Sequence, residues 1–375
     1  MLEHADFLCN SSDAYNHSPE MNRLFVEGMK EITRFHQQNN AFYARLLEKK
    51  QFDIDSLMTV DDCANIPFLY ADFFKTHVVK SIPDEMVAEH FTSSGTTGQM
   101  SQMFFDARSL GLGIQMVDFE MEYLGFVAPE QVCNYILYSY EIPKDSTLGT
   151  ANTDKRLLKY TKVNEVEYAL KQNGRGGYEF DVFGIIRAFQ RFAAQGLPVR
   201  ILGFPSFFYF TLEQMRDLKM PPVKLHPDSC TIFGGGWKGY AGKQISKLAL
   251  YQLGEEILGI PNHRFCDGFG SVEHSIPYLE CKHHHFHVPT WSRVFIRDMK
   301  TLEVLPMGEP GFLQFVSPYI SSAPAHSIVM GDKAVLYPAE QCGCGLETPY
   351  FEILGRAGTS KNKSCAIAAS EFLKK

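Results

Sequence analysis

Between Phe91 and Met100 the chain reads FTSSGTTGQM, where Thr92, Ser93, Ser94, Gly95, Thr96, Thr97 and Gly98 set hydroxyls beside bare backbone. That composition suits a phosphate cradle. Glycine lets backbone N–H groups approach an anion without a Cβ in the way, and Ser/Thr hydroxyls add neutral donors. An ordinary surface turn is the competing explanation, since Gly and Ser punctuate loops everywhere. The flanks exclude two familiar cradles. MVAEHFTSS is strand-like, and QMFFDARSLGLGIQMVDFEMEYLGF predicts a short strand, a turn at Asp106–Arg108 and then a helix, whereas dinucleotide and Walker-type loops open a helix directly. There is no GxGxxG, and Gln99 stands where a Walker sequence needs Lys.

Four further stretches carry chemistry-bearing residues at predicted strand ends. In TIFGGGWKG, Gly234, Gly235 and Gly236 would let a flat ring lie against backbone, though a glycine turn after a strand is common. In DGFGSVEH (Asp267 to His274), Glu273 is a candidate Mg²⁺ ligand, against a solvent-facing or ion-paired glutamate. In IVMGDKAVLY, Asp332 follows Gly331 at an expected turn and can accept both ribose hydroxyls, against a plain turn aspartate. In ILGRAGTSKNKS, Arg356 is a candidate ribose or phosphate contact, against a lone loop arginine. ECKHHHFHVP and EQCGCG form a separate group: Cys281, His283, His284, His285 and His287 in one stretch, Cys342 and Cys344 in the other. Thiolate and imidazole together suit tetrahedral Zn²⁺, but C-x-C is tighter than the usual C-x2-C and no spacing is diagnostic. Strand alternation would put His283, His285 and His287 on one face, which leaves the choice of His open.

The elements that must hold these residues follow from periodicity. From Met21 to Lys50 apolar residues recur at helical spacing, which predicts a helical N-terminal region. The middle alternates short apolar runs with helical ones, from NYILYSY through YEFDVFGIIRAFQRFAAQG, PVRILGFPSF and TIFGGGWKG to ISKLALYQLGEEILGI, and predicts an α/β domain with parallel sheet. VFIRDMKTLEVLPMGEPGFLQFVS has a turn-rich β rhythm with a bend at Gly308–Gly311. Phe204, Pro205, Phe207, Phe208, Tyr209 and Phe210 are expected to precede a helix and to line an apolar tunnel or to be ordinary core.

Composition bounds the function. The 375 residues, 45% apolar with 30 Phe and 17 Tyr, fit a folded enzyme-sized chain of one large domain with an appendage or of two domains. A net charge of −7 and scattered Lys and Arg give no footprint for nucleic acid or an anionic membrane. MLEHADFLCNSSD is too polar and acidic for a signal peptide, and ILGFPSFFYFTL is too short for an integral membrane segment. A cytoplasmic protein is expected, with its nine cysteines mostly reduced.

Taken together and in order, the five stretches from Phe91 to Arg356 resemble the adenylate-forming superfamily of acyl- and aryl-CoA ligases. The match comprises a Thr/Ser/Gly phosphate loop, a Gly-rich adenine contact, an aromatic-Gly-x-x-Glu element, a Gly-Asp ribose contact and a Gly-Arg hinge. SSGTTG followed by Gln is similar to the phenylacetate-CoA-ligase branch. After GRAGTSKNKS only CAIAASEFLKK follows, and Gly358 stands where a hinge Asp is common, so the resemblance implies a chain without the superfamily's mobile C-terminal domain and its catalytic Lys. Truncation there, the length, and a cysteine ten residues from the end resemble the long-chain acyl-protein synthetases of bacterial luciferase operons, the LuxE family.

That resemblance implies a large N-terminal adenylate-forming domain of mixed and parallel sheets flanked by helices over residues 1–354, helical over 1–90 and β-rich over 290–345, with a hinge remnant and short tail at 355–375. It implies ATP and Mg²⁺, a long-chain fatty acid activated to acyl-AMP, transfer to Cys365, and delivery to a partner acyl reductase subunit. Thr92–Gly98 would hold the pyrophosphate portion, Gly234–Gly236 the adenine, Glu273 the Mg²⁺, Asp332 the ribose, and Arg356 ribose or phosphate. Lys361 and Lys363 precede Cys365, and nearby cations favour the thiolate, the strongest nucleophile available near neutral pH. Some members of the phenylacetate-CoA-ligase branch carry a comparable CxCG element. They imply a structural Zn²⁺ on Cys281, Cys342, Cys344 and one His, taken as His287; alternatively His287 faces the active site. Two competing functions stand beside the first: an acyl- or aryl-CoA or carrier-protein ligase with Cys365 irrelevant, and a non-catalytic acyl- or nucleotide-binding subunit.

Overall fold

A short helix α1 (Glu3–Cys9) precedes α2 (Pro19–Asn39), whose start is set by Ser18. The Ser18 hydroxyl accepts the Met21 N–H, and Pro19, with no N–H to waste, takes the first helical position. Phe25, Val26, Met29, Ile32 and His36 recur along one stripe and are buried. Asn40 ends α2 and caps α3 (Ala41–Lys50) by accepting the Tyr43 N–H at 2.9 Å. The chain continues through β1 (Leu69–Tyr70), β2 (Val87–Thr92), β3 (Gln102–Asp106) and α4 (Ala107–Tyr123). Strands β2 and β3 pair antiparallel with Thr92 opposite Gln102, so the Ser/Thr/Gly stretch does join strand to strand. The turn expected at Asp106–Arg108 is absent: α4 begins at Ala107, and the Asp106 carboxylate accepts the Ser109 N–H at 2.7 Å.

The computed structural model describes residues 2–92, 100–141, 156–174, 177–237 and 244–356. Ser93–Gly98 and Cys365 therefore lie outside the described residues. The chain divides into two units, one of Met1–Tyr123, Gly270–Tyr278 and His285–Lys375, the other of Leu124–Phe269 and Leu279–His284.

The second unit holds β4 (Val132–Tyr140), β5 (Lys162–Gln172), β6 (Tyr178–Phe180), α5 (Val182–Gln195), β7 (Val199–Gly203), α6 (Pro205–Asp217), β8 (Cys230–Phe233), α7 (Lys247–Leu258) and β9 (Gly268–Phe269). Its sheet has the order β6-β5-β4-β7-β8, parallel except for the antiparallel edge strand β6. The central strand β4 is buried from Cys133 to Ser139, which explains its apolar run Tyr135–Tyr138. Because β5 lies on one side of β4 and β7 on the other, the carboxyl ends of β4 and β7 form a topological switch point. Gly203 ends β7 at φ +117, where a Cβ would come within 2.5 Å of the Tyr138 carbonyl oxygen. Only glycine allows that approach. Phe189, Phe192, Ile201, Phe208, Leu212 and Tyr251 fill the core beneath. The aromatic run does not precede a helix as expected: Pro205 to Phe210 are the first turns of α6, with Pro205 at its permissive first position and Phe208 in the core.

The first unit resumes with its C-terminal strands. After β10 (Tyr278–Leu279) come β11 (Phe286–His287), β12 (Arg293–Arg297), β13 (Gly311–Val316), β14 (Ser327–Tyr337) and β15 (Tyr350–Arg356). Their sheet runs β11-β15-β14-β13-β12 antiparallel, and β1 joins β14 in parallel. Gly308, at φ +92, sits in the expected bend before β13. Leu2, Ala5, Phe25, Val26, Met29 and Ile32 from the helices bury against Phe295 and Val316 of the sheet.

Candidate functional site

Asp332 sits within β14 rather than at a turn, and Arg356 ends β15 rather than lying in a loop. The two are direct cross-strand partners. One turn-like feature survives: the register slips between Lys333 and Ala334, and Gly355 takes φ +121 in the bulge that re-aims Arg356. The Arg356 Nε lies 3.8 Å from the Asp332 carboxylate, on a side chain that is 77% exposed, so the guanidinium is held loosely enough to serve a ligand. Burial raises the Asp332 pKa above its ordinary value, with Arg356 opposing that shift and the Glu273 carboxylate adding to it.

Glu273 is buried, which disfavours the competing solvent-facing reading. Its neighbours explain why. His274 stacks on Phe315 of β13 at 4.5 Å between centroids, and its Nε2 lies 2.9 Å from the Tyr278 hydroxyl, itself 2.6 Å from Ser292 Oγ. Burial pushes His274 down to about 3, so it anchors the segment as a neutral ring. The Ser271 hydroxyl meets Met330 Sδ of β14 at 3.8 Å. Glu273 and Asp332 are therefore two carboxyl groups held on neighbouring rigid segments, a donor type that fits Mg²⁺. Thr92, the one described member of the phosphate stretch, ends β2 with its side chain exposed.

Sequence reasoning missed a pair beside these carboxyls. Lys75 and Asp72, on the 3-10 turn Ala71–Lys75 that follows β1, form an ion pair at 2.5 Å, and both act electrostatically on Asp332. No motif marks them.

In the second unit Gly234, Gly235 and Gly236 follow β8, with Gly235 at φ +75 and Gly236 at φ +63, conformations that favour glycine. The Gly234 N–H donates to the Gly203 carbonyl at 3.1 Å, so the glycines extend from the sheet's carboxyl edge. A second unheralded group lies here. The Glu280 carboxylate accepts from Lys247 Nζ, from the Tyr251 hydroxyl at 2.7 Å and from the Asp267 N–H at 2.9 Å. Burial, then the Glu280 charge, push Asp267 up to about 7.

The donor atoms of His287, Cys342 and Cys344 in the first unit all lie within 4.8 Å of one another, while Cys281 belongs to the second unit. The His287 Nε2 approaches Cys344 Sγ at 3.3 Å while its Nδ1 donates to the Thr348 carbonyl at 2.7 Å. That second bond fixes the tautomer and leaves Nε2 as the ligand atom. Burial pushes His287 down to about 4, so the ring is neutral near pH 7 and keeps its lone pair. Two thiols and one imidazole at this spacing are ligand types that suit Zn²⁺. The expected alternation of His283, His285 and His287 fails: residues 282–284 form a turn with His284 at φ +65, which leaves His283 exposed and His284 buried. His285 Nδ1 contacts Cys342 Sγ at 3.1 Å.

Across the described residues no helix is long and apolar enough to cross a membrane, and the described cysteines form no disulfide.

The family model "Acyl-protein synthetase, LuxE" matches residues 3–374. A long-chain-fatty-acid–luciferin-component ligase of Vibrio harveyi is 25% identical over 356 residues, covering 94% of this chain and 89% of that protein. One of the same name from Aliivibrio fischeri is 24% identical over 358 residues, covering 92% and 88%. Among solved structures, an open conformation of 2-hydroxyisobutyryl-CoA ligase superposes with a TM-score of 0.65 at 14% identity, covering 92% of this chain and 71% of that one. The fold is thus that of adenylate-forming ligases.

Proposed function

Given that the chain belongs to the acyl-protein synthetase family LuxE, a family of ligases, we propose that it activates a long-chain fatty acid with ATP to acyl-AMP, transfers the acyl group to Cys365, and hands it to a partner acyl reductase in the cytoplasm. The observation that carries this is the grouping of Glu273, Asp332 and Arg356 on three neighbouring segments of one unit. In this scheme Asp332 accepts from the ribose hydroxyls, Arg356 leaves its loose pair for ribose or phosphate, and Glu273 holds Mg²⁺. Mg²⁺ bound at Glu273 would supply positive charge to offset that of the phosphates. Thr92–Gly98 supply donors to the pyrophosphate portion, and Gly234–Gly236 present bare backbone to the adenine.

The chemistry is a displacement at the α-phosphorus: a carboxylate oxygen forms the new bond as the bond to pyrophosphate breaks. The mixed anhydride gives the acyl carbon a good leaving group, and the Cys365 thiolate then displaces AMP to leave a thioester. His287, Cys342 and Cys344 of the first unit would hold a structural Zn²⁺, with the Thr348 carbonyl orienting His287.

The test is incubation of the full chain with ATP, Mg²⁺ and radiolabelled tetradecanoic acid, followed by intact-mass analysis and hydroxylamine treatment. A hydroxylamine-labile adduct mapping to Cys365, lost in Cys365→Ala while acyl-AMP still forms, is the expected result. Labelling that persists in Cys365→Ala would sink the carrier assignment. Adenylate released only to added CoA would make the chain a CoA ligase, and no ATP turnover with any acid would make it a binding subunit.

A further inference from the structure

The carboxyl groups Glu273 and Asp332 carry negative charge toward a substrate that is itself an anion, and the transition state at the α-phosphorus gathers more. Some cation must face them. Arg356 is one; the structure offers a second that no motif announces.

Strand β1 runs parallel to β14 with Tyr70 opposite Val329, so the 3-10 turn Ala71–Lys75 that follows it packs alongside β14 as that strand approaches Asp332. The same turn packs against β3, the strand that leaves the Ser/Thr/Gly stretch. Phe73 and Phe74 are buried and pin the turn in the core, with Phe73 stacked on Phe42 at 5.2 Å and on His77 at 4.4 Å. In a 3-10 helix residues three apart eclipse. Asp72 and Lys75 accordingly share one side and pair at 2.5 Å, with side chains 70% and 28% exposed. With Asp72 largely in solvent the pair is weak, so its ammonium exchanges readily to a phosphate oxygen. The charged groups that act on Asp332 are Arg356 and Lys75 on the positive side and Glu273 and Asp72 on the negative.

We propose that Lys75 is a catalytic cation of the adenylation step, moving from Asp72 to the nucleotide's α-phosphate, from a turn wedged between the strand carrying Asp332 and the strand leaving the phosphate loop. This rests on the adenylation scheme above. The ammonium keeps its proton throughout; the fatty-acid carboxylate supplies the electron pair for the new O–P bond, and pyrophosphate leaves with the pair from the broken one. Lys75 offsets the charge that develops on the non-bridging oxygens, a contribution of the kind worth about 10²–10³ in rate when a single positioned donor is removed.

The experiment compares full-length wild type, Lys75→Met and Lys75→Arg for acyl-AMP formation from ATP and tetradecanoic acid, and for thioester formation from supplied tetradecanoyl-AMP, which bypasses the step. Lys75→Met should lose about 10²-fold or more in adenylation kcat with a much smaller change in KM for ATP, Lys75→Arg should recover a measurable part, and acylation from supplied adenylate should persist. Adenylation by Lys75→Met within about threefold of wild type overturns the inference alone. Loss of both half-reactions in Lys75→Met and Lys75→Arg overturns it in favour of a structural role. Wild type that forms no acyl-AMP overturns the adenylation scheme and this inference with it.

Discussion

A carboxylic acid in the wrong solvent behaves as a different functional group. Glu120 on α4 has no exposed surface, and burial raises its pKa well above the ordinary value, with the Tyr15 hydroxyl only partly opposing. Its neutral form therefore persists to higher pH in the folded chain than in the unfolded one. Unfolded, the same group ionises near about 4.3. Between that value and the raised folded pKa the unfolded chain has released a proton that the folded chain keeps, so stability falls with rising pH, by about 1.4 kcal/mol per unit. Below about pH 4 the group contributes no slope. Glu120→Gln keeps shape and neutrality, so its urea stability relative to wild type should climb as pH rises above about 4.3. Parallel profiles for the two proteins would show that Glu120 ionises in place. Nothing in LGIQMVDFEMEYLGF flags this residue, because a glutamate between apolar helix positions reads as the solvent face. Its hydrogen-bond partner Tyr15 lies more than a hundred positions away in sequence.

At the scale of elements, short irregular connections decide what the strands present. The segment from Cys281 to His287 is seven residues in which a turn with His284 in a left-handed conformation replaces the alternation a strand would give. The ligand types were legible in the sequence as thiols and imidazoles. The choice among five histidines and cysteines in that run was not, because a single left-handed residue shifts which side chains share a face. Asp332 is a parallel case: Gly-Asp suggests a turn, yet strand pairing to Arg356 prevails and only a bulge remains. With His287 held neutral by burial and oriented by the Thr348 carbonyl, the metal-binding proposal makes a direct forecast. Purified protein should carry about one zinc per chain, and Cys342→Ser or Cys344→Ser should reduce occupancy at least tenfold. Cobalt substituted for zinc should give thiolate charge-transfer absorption that either variant weakens. Wild type free of metal by elemental analysis, with no cobalt–thiolate band on reconstitution, would leave the cluster as a buried set of reduced cysteines.

Across the whole molecule the rhythm of the sequence was the most legible feature, because it depends on period and not on any one contact. Helical spacing from Met21 to Lys50, strand and helix alternation in the middle, and a turn-rich β rhythm near the end all correspond to elements found there. Less legible was the way the chain divides, since the first unit is assembled from three separated stretches and recruits Gly270–Tyr278 by stacking His274 on Phe315. Each unit buries its own set of side chains: Phe189, Phe192 and Phe208 in one, Phe25, Met29 and Ile32 in the other. Phe189 is fully buried on α5, so Phe189→Ala removes a ring from a close-packed site at a cost of about 3–5 kcal/mol. Because that ring belongs to the parallel-sheet core, amide protection should fall along β4 and β7 of the variant while β13 and β14 keep theirs. Equal loss of protection in all four strands would mean that the two cores unfold as one cooperative body. That outcome would make any core substitution in the parallel-sheet unit reach Asp332 and Glu273 through stability alone.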